Sequence, residues 1–321
     1  MSESTLKGVS IRGLEVFEAL AQTGSVASAA DRLGMSAPAV SQQLKNLDAV
    51  LGVDLIDHSR RPMTLTPAGR LFLKRVETAL SALRMGQRDV VALDLSGLSS
   101  LRMGVIEDFE NEVTPTLTSR LAETMQSCAF HLETGASHAI QARIGARELD
   151  IAICAAGRSA PSNTRAHLLL NDPYILAVPR GTNVSGGLDA LSDMAFLRRD
   201  MNQIMGKQIE DYLGRHGWIP PQRFEMDSNQ SISALVAGGQ GWTITTPLSL
   251  LRAGRFAAGI EAHSLPDGGI ARQIVLYASE DWTGDIPAQI ARIARELIAL
   301  HFITPGLTAM PWLAPEFVVL D

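Results

Sequence analysis

The chain has 321 residues, 46% of them apolar, with a formal net charge of −6. That length fits two or three domains with real cores, and no apolar run approaches the roughly 18–20 residues needed to span a bilayer. Two cysteines, Cys128 and Cys154, are too few for a secreted disulfide framework; both lie in strand-like runs and read as small buried hydrophobes.

Met1 to Ser10 is polar and lacks the apolar core of a secretion signal, so a cytoplasmic address is expected. Three short helical patterns follow. Leu14, Phe17 and Ala21 mark the first, Val26, Ala29, Ala30 and Leu33 the second, and Val40, Leu44, Leu47 and Leu51 the third. Gly34 ends the second helix, because glycine tolerates the left-handed turn. Ser36 is a natural N-cap for the third, and Pro38 is acceptable in its first turn. The tight turn between them predicts a helix-turn-helix. Leu55-Ile56 and Met63-Thr64-Leu65 read as two short strands around a wing tip, Ser59-Arg60-Arg61-Pro62. Thr66-Pro67 then opens a long helix over about 67–94. Its stripe of Phe72, Val76, Ala79, Leu83, Gly86, Val90 and Leu93 steps by four and three. That spacing fits a dimerising linker helix, and also an amphipathic helix packed on its own domain.

From Leu98 strands and helices alternate. Strands are expected at Leu101–Ile106, Ala129–Glu133 and Leu149–Cys154, with helices near 112–125 and 138–147. A second set comprises Tyr174–Val178, Phe196–Arg198, a helix near 203–216, Arg223–Met226, a helix near 230–237, and Thr243–Thr245. Another strand, Ala271–Ala278, precedes a one-sided apolar helix near 287–300. The alternation predicts α/β lobes with mostly parallel sheets. Ligands of such folds sit at strand C-terminal ends and helix N-termini. The expected division is 1–66, 67–96 and 97–300. The last part would form lobe I from 97–173 and 271–300 and lobe II from 174–270. The apolar tail 301–321, with Pro305, Pro311 and Pro315, is expected to pack on a surface or a partner.

The third helix carries a second face of Pro38, Ser41, Gln42 and Lys45 at i, i+3, i+4 and i+7. Short and polar residues with one base suit the major groove, where Gln pairs with adenine edges and Ser or Lys reach phosphates. Residues 36–75 hold six Lys or Arg against three acids, so the segment is locally basic despite the acidic total. Ser36, His58, Arg60 and Arg61 complete the candidate DNA-contacting set.

Leu14, Phe17, Gly24-Ser25, Ala29-Ala30, Leu33, Ser36, Ala39-Val40-Ser41, Leu47, Leu51-Gly52-Val53, Leu55, Leu65-Thr66 and Gly69 together resemble the N-terminal signature of LysR-type transcriptional regulators. Asp48, Ile56 and His58 depart from it, where the family favours Glu, Phe and Arg. A looser resemblance continues to about residue 300, through Leu101-Arg102-Met103-Gly104, Gly135, Leu149 to Ile153, Asp172-Pro173, Val236 to Gly241 and Pro247. It implies a two-lobed, periplasmic-binding-protein-like effector domain and a homodimer or homotetramer. It also implies promoter DNA and RNA polymerase as partners, and a small-molecule co-inducer in place of a cofactor.

The matched positions put Asp108, Ser137, His138, Arg199, Asn202 and Asn229 around the effector cleft. Asp108 stands where the family commonly has Ser or Thr. An acid there favours a ligand ammonium, with Arg199, or Arg198 in a shifted register, holding a carboxylate. An amino acid or amine is therefore expected, unless Asp108 merely complements the next helix. Trp242 could add a cation–π wall or belong to the core. Enzyme chemistry finds no footing. There is no G-x-S-x-G elbow and no P-loop, and the histidines, His131 and His138 included, show no metal-ligand spacing.

Overall fold

The computed structural model describes residues 8–57, 62–91 (85–91 as backbone only), 98, 100–220, 224–266, 269–280, 282 and 284–321. The chain divides into two units, Met1–Arg88 and Asp89–Asp321.

The first unit begins with α1 (Ile11–Thr23), α2 (Val26–Leu33) and α3 (Ala37–Leu51). Ser10, Ser25 and Ser36 accept the first-turn amides of Gly13, Ser28 and Ala39. Gly24, Gly34 and Gly52 close the three helices in the left-handed conformation that glycine adopts at no steric cost. A two-stranded ladder, β1 (Ile56–Asp57) and β2 (Thr64–Leu65), pairs antiparallel. Asp48 on α3 brackets this hairpin, its Oδ1 accepting from the Leu55 amide at 3.1 Å. Thr66 caps α4 (Pro67–Val91) through the Gly69 amide at 3.0 Å. At Gly69 a Cβ would stand 2.0 Å from the Leu55 carbonyl oxygen. One core joins Val16, Phe17, Leu20, Ala29, Ala30, Val40, Leu44 and Leu47 to Val76 and Leu80 of α4, with Phe72 packed against it. The first half of the long stripe is therefore spent inside this unit. Ala79 and Leu83 remain exposed.

The second unit is α/β in two lobes. In lobe I, β3 (Ser100–Ile106), α5 (Val113–Thr124), β4 (Ala129–Gly135), α6 (Ser137–Gly145), β5 (Ile151–Ala155) and β6 (Thr164–Pro173) follow in order. Lobe II contains β7 (Ile175–Pro179), β8 (Leu197–Arg199), α7 (Ile204–Arg215), β9 (Phe224–Met226), α8 (Asn229–Ala237), β10 (Thr243–Thr245) and β11 (Ile260–Ser264), while α9 (Pro247–Arg252), between β10 and β11, packs Leu248 into the lobe I core. The chain returns through β12 (Ala271–Ser279) to α10 (Ile286–Ile298), α11 (Thr304–Ala309) and β13 (Val318–Val319). The lobe I sheet runs β13-β6-β12-β5-β3-β4. Lobe II holds β10-β7-β11 and the pair β8-β9.

The alternation predicted mostly parallel pairing, and here the structure corrects it. Only β3–β4, β3–β5 and β8–β9 are parallel ladders among the described strands, while β12 runs antiparallel to both β5 and β6. The reason is connectivity. β6 and β12 are the outgoing and returning strands of the lobe crossing, so they lie side by side in opposite directions. β6, β11 and the two-residue β13 are the described strands that the sequence pattern does not predict. Residues after 300 complete lobe I: Phe302, Met310, Leu313 and Phe317 join its core, and β13 extends the sheet at β6.

Candidate functional site

On α3, Val40, Leu44 and Leu47 face the core, which turns Ser36, Pro38, Gln42 and Lys45 outward. Those four are exposed and Ser41 is half-buried. Gln42 Nε2 donates to Asn46 Oδ1 at 2.8 Å, one turn along the helix. Asn46 thus extends this face, a residue the sequence reading passed over. His58, Arg60 and Arg61 lie outside the described residues. The flank of the hairpin is fixed where the Met63 amide donates to the Gly24 carbonyl at 2.9 Å.

The second unit has a polar cavity of about 40 Å³ between its lobes, lined by Glu107, Asp108, Ser137, Arg199, Gln203 and Arg272 among others. Asp108, Ser137 and Arg199 of the expected set are brought together there. His138 lines a neighbouring outer cavity of about 610 Å³, with Gln141, Lys207, Gln208 and Asp211; the two cavities share Ile204. Asn202 turns back on the exposed loop, its amide and Nδ2 donating to Asp200 Oδ1. Asn229 is buried and donates to the Ser249 carbonyl at 2.7 Å. Neither lines these two cavities.

Strand alternation settles which arginine enters the cleft. Arg199 lines the cavity, while Arg198 turns into lobe II, where it pairs with Glu210. Trp242 is fully buried against Phe196 and Trp218 and forms core rather than a binding wall.

Asp108 does not present an open anion. Its Oδ1 accepts from the Ser249 hydroxyl at 2.9 Å and its Oδ2 from Arg272 Nη2 at 2.8 Å. Arg272 Nε donates to Asp172 at 2.8 Å, and Arg272 Nη2 also reaches Thr246. The cation expected opposite Asp108 is thus supplied by the protein itself. This corrects the expectation of an ammonium at that position. Burial is the largest single influence and would raise the Asp108 carboxyl, but the charge and hydrogen bond of Arg272, together with Arg199 and Ser249, outweigh it and hold it below its usual range. Burial wins at Asp172, which is raised despite Arg272. Arg199 is lowered, by burial first and by Arg272 beside it.

Arg272 was missed because its partners lie 100 and 164 residues away in sequence. The available signal was a lone arginine at the start of an apolar strand, a position that demands a partner. Cys154 is buried and its thiol is pushed up to about 12 by that burial, far from a reactive thiolate. The described residues hold no cluster suited to a metal ion, and none of their helices is long and apolar enough to cross a membrane.

Comparison with known proteins agrees with both halves of this geometry. Residues 97–284 match the family described as "LysR substrate binding domain", and residues 11–70 match "Bacterial regulatory helix-turn-helix protein, lysR family". The HTH-type transcriptional regulator CbbR of Rhodospirillum rubrum is 29% identical over 233 residues, 72% of this chain and 77% of that protein. The regulator IlvR of Caulobacter vibrioides is 29% identical over 255 residues, 76% and 84% of the two chains. Full-length OxyR from Pseudomonas aeruginosa shares the fold with a TM-score of 0.68 at 18% identity, covering 91% of this chain and 95% of that one.

Proposed function

The chain belongs to the LysR family of bacterial transcriptional regulators, and from that premise we propose that it binds promoter DNA through α3 and adjusts that binding to a small molecule held between the lobes of its second unit. The observation that carries the reading is the row Pro38, Ser41, Gln42 and Lys45 on a capped helix whose opposite face is core. In this reading Gln42 addresses base edges, and Ser36, Ser41 and Lys45 address phosphates. The wing residues His58, Arg60 and Arg61 supply further phosphate contacts. Asp108, Ser137 and Arg199 border the effector cavity, and His138 borders its mouth. The regulator acts in the cytoplasm as a homodimer or homotetramer, and its message passes to RNA polymerase at the promoter. Two-fold protein symmetry then calls for an inverted-repeat site.

An enzyme is disfavoured because the relatives are transcriptional regulators. A solute-binding protein would share the lobes but has no use for the helix-turn-helix. The test is binding of the purified chain to the DNA beside its own gene, at near-physiological salt, against random competitor. Tight, competitor-resistant binding is expected. No preference over random DNA would overturn the proposal.

A further inference from the structure

We propose that the cavity between the lobes takes a small polar monocarboxylate, with its acid group on Arg199 and its remainder directed toward Gln141 and Gln208. This rests on the reading of that cavity as the effector site.

The central observation is Arg199 Nη1, which is buried and has no hydrogen-bond partner among the described residues. Only Nε of this side chain has a partner there, donating to Gln203 Oε1 at 2.8 Å. A half-buried guanidinium whose buried donor is idle is unfavourable until an acceptor arrives, and a carboxylate offers two oxygens in the matching plane. Burial already lowers the tendency of Arg199 to hold its proton, as expected for a cation short of compensation.

The surrounding groups favour the same charge. Two helices of opposite lobes begin at the cavity, α6 after Ala136 and α7 after Gln203, and neither receives a side-chain cap. Each start carries roughly half a positive charge. Ser137 Oγ accepts from the Ala155 amide at 3.1 Å, which leaves its O–H to donate to a ligand. Asp108, Asp172 and Arg272 together carry one net negative charge, which Arg199 balances. Glu107 at the rim faces Arg252 at 3.5 Å, a cation it shares with the exposed Glu110, which lies outside the lining and holds it at 2.7 Å. Against the two helix starts, a single anionic group brings the site near neutrality. A dianion overshoots, and an ammonium adds to an existing excess of positive charge.

Size limits the acid end. A cavity of about 40 Å³ holds a carboxylate and little more. The rest of the molecule must pass Ile204 into the outer cavity, whose polar lining includes Gln141, Gln208 and Lys207. Gln208 Oε1 already accepts from the Tyr174 hydroxyl at 2.6 Å, so its amide nitrogen is the group left for a ligand oxygen.

The experiment compares sodium lactate, sodium malonate and ethanolammonium at equal ionic strength and millimolar concentration. The full chain is used, by thermal unfolding and calorimetry, as wild type, Arg199→Gln and Arg199→Lys. Lactate is expected to stabilise the wild type most. Arg199→Gln should weaken that binding by roughly tenfold or more, with Arg199→Lys intermediate. Unliganded unfolding midpoints of the variants serve as the fold control. Stabilisation by ethanolammonium alone, tighter binding of malonate, a lactate effect untouched by Arg199→Gln, or no effect of any probe would each overturn the proposal. Lactate that binds through Arg199 yet leaves promoter binding and its footprint unaltered would uphold the carboxylate site and overturn the regulatory reading of the cavity.

Discussion

Arg272 is 5% exposed and holds two carboxylates at 2.8 Å, Asp108 and Asp172. Removing one partner from a buried ionic group strands the others without compensation. The Arg272→Met variant should therefore lose about 3–5 kcal/mol, read as a lower denaturant midpoint of the second unit. Arg199→Gln, which strands no buried acid bonded to it, should cost far less. The acids also set a pH limb. Asp108 titrates lower in the fold than its ordinary value near 4. Its contribution is present above that ordinary value and is lost as pH falls through the lowered one. Asp172 acts in the opposite sense, because the fold takes up its proton first and so softens the loss. The Asp108→Asn variant should accordingly show a flatter decline of stability below about pH 4 than the wild type, measured by denaturation from mildly acid to strongly acid buffer. A parallel decline in the two proteins would count against the Asp108 assignment. The sequence exposed Asp108 as unusual but gave the wrong partner for it. Pairing across 164 residues leaves no local pattern to read.

At the scale of elements, the helix-turn-helix was almost wholly legible, because its determinants are local. Serine caps, glycine closures and 3.6-residue spacing all act within a few residues of where they are seen. The face of α3 that the spacing selected is the one the core leaves outside. Gln42 and Lys45 on it should respond differently to alanine. Gln42→Ala should lose discrimination between promoter and random DNA by about 1–3 kcal/mol. Lys45→Ala should weaken both DNAs alike and reduce the salt slope by about one. Equal loss on both DNAs for Gln42→Ala would remove its base-reading role. The Gln42–Asn46 hydrogen bond was not legible in advance, since either side chain could equally have pointed to solvent. The lobe strands β6, β11 and β13 escaped for another reason. β6 alternates irregularly along its ten residues, from exposed Arg165 to buried Leu169, Leu170 and Asp172. Its partners on both sides, β12 and β13, begin 98 or more residues after β6 ends.

At the scale of the molecule, two consequences follow from where apolar surface is spent. The last residues are part of lobe I, not an appendage: Phe317 is fully buried in its core, and Arg295 Nε donates to the Leu168 and Leu320 carbonyls, tying the end of the chain to β6. Truncating that ring, Phe317→Ala, should cost about 3–5 kcal/mol in unfolding of the second unit. Composition alone could not place this segment, because an apolar, proline-punctuated tail suits a partner as well as its own core. The long helix α4 gives the converse case. Val76 and Leu80 are buried in the first unit, so they are unavailable to a second copy. Leu83 is 49% exposed, and Ala79 one turn before it is exposed as well, on the continuation of the same 4–3 stripe. A helix that keeps its stripe past the last residue of its own core exposes apolar area that only another surface can cover. If that surface is the same helix of a second copy, Leu83→Glu should shift the chain toward monomer in sedimentation at micromolar concentration. It should also weaken binding to an inverted-repeat promoter much more than to a single half-site, since only the former gains from two linked helix-turn-helix units. Unchanged sedimentation would place the self-association surface elsewhere in the chain. Equal weakening on both DNAs would mean that Leu83 supports the fold of the first unit rather than its pairing.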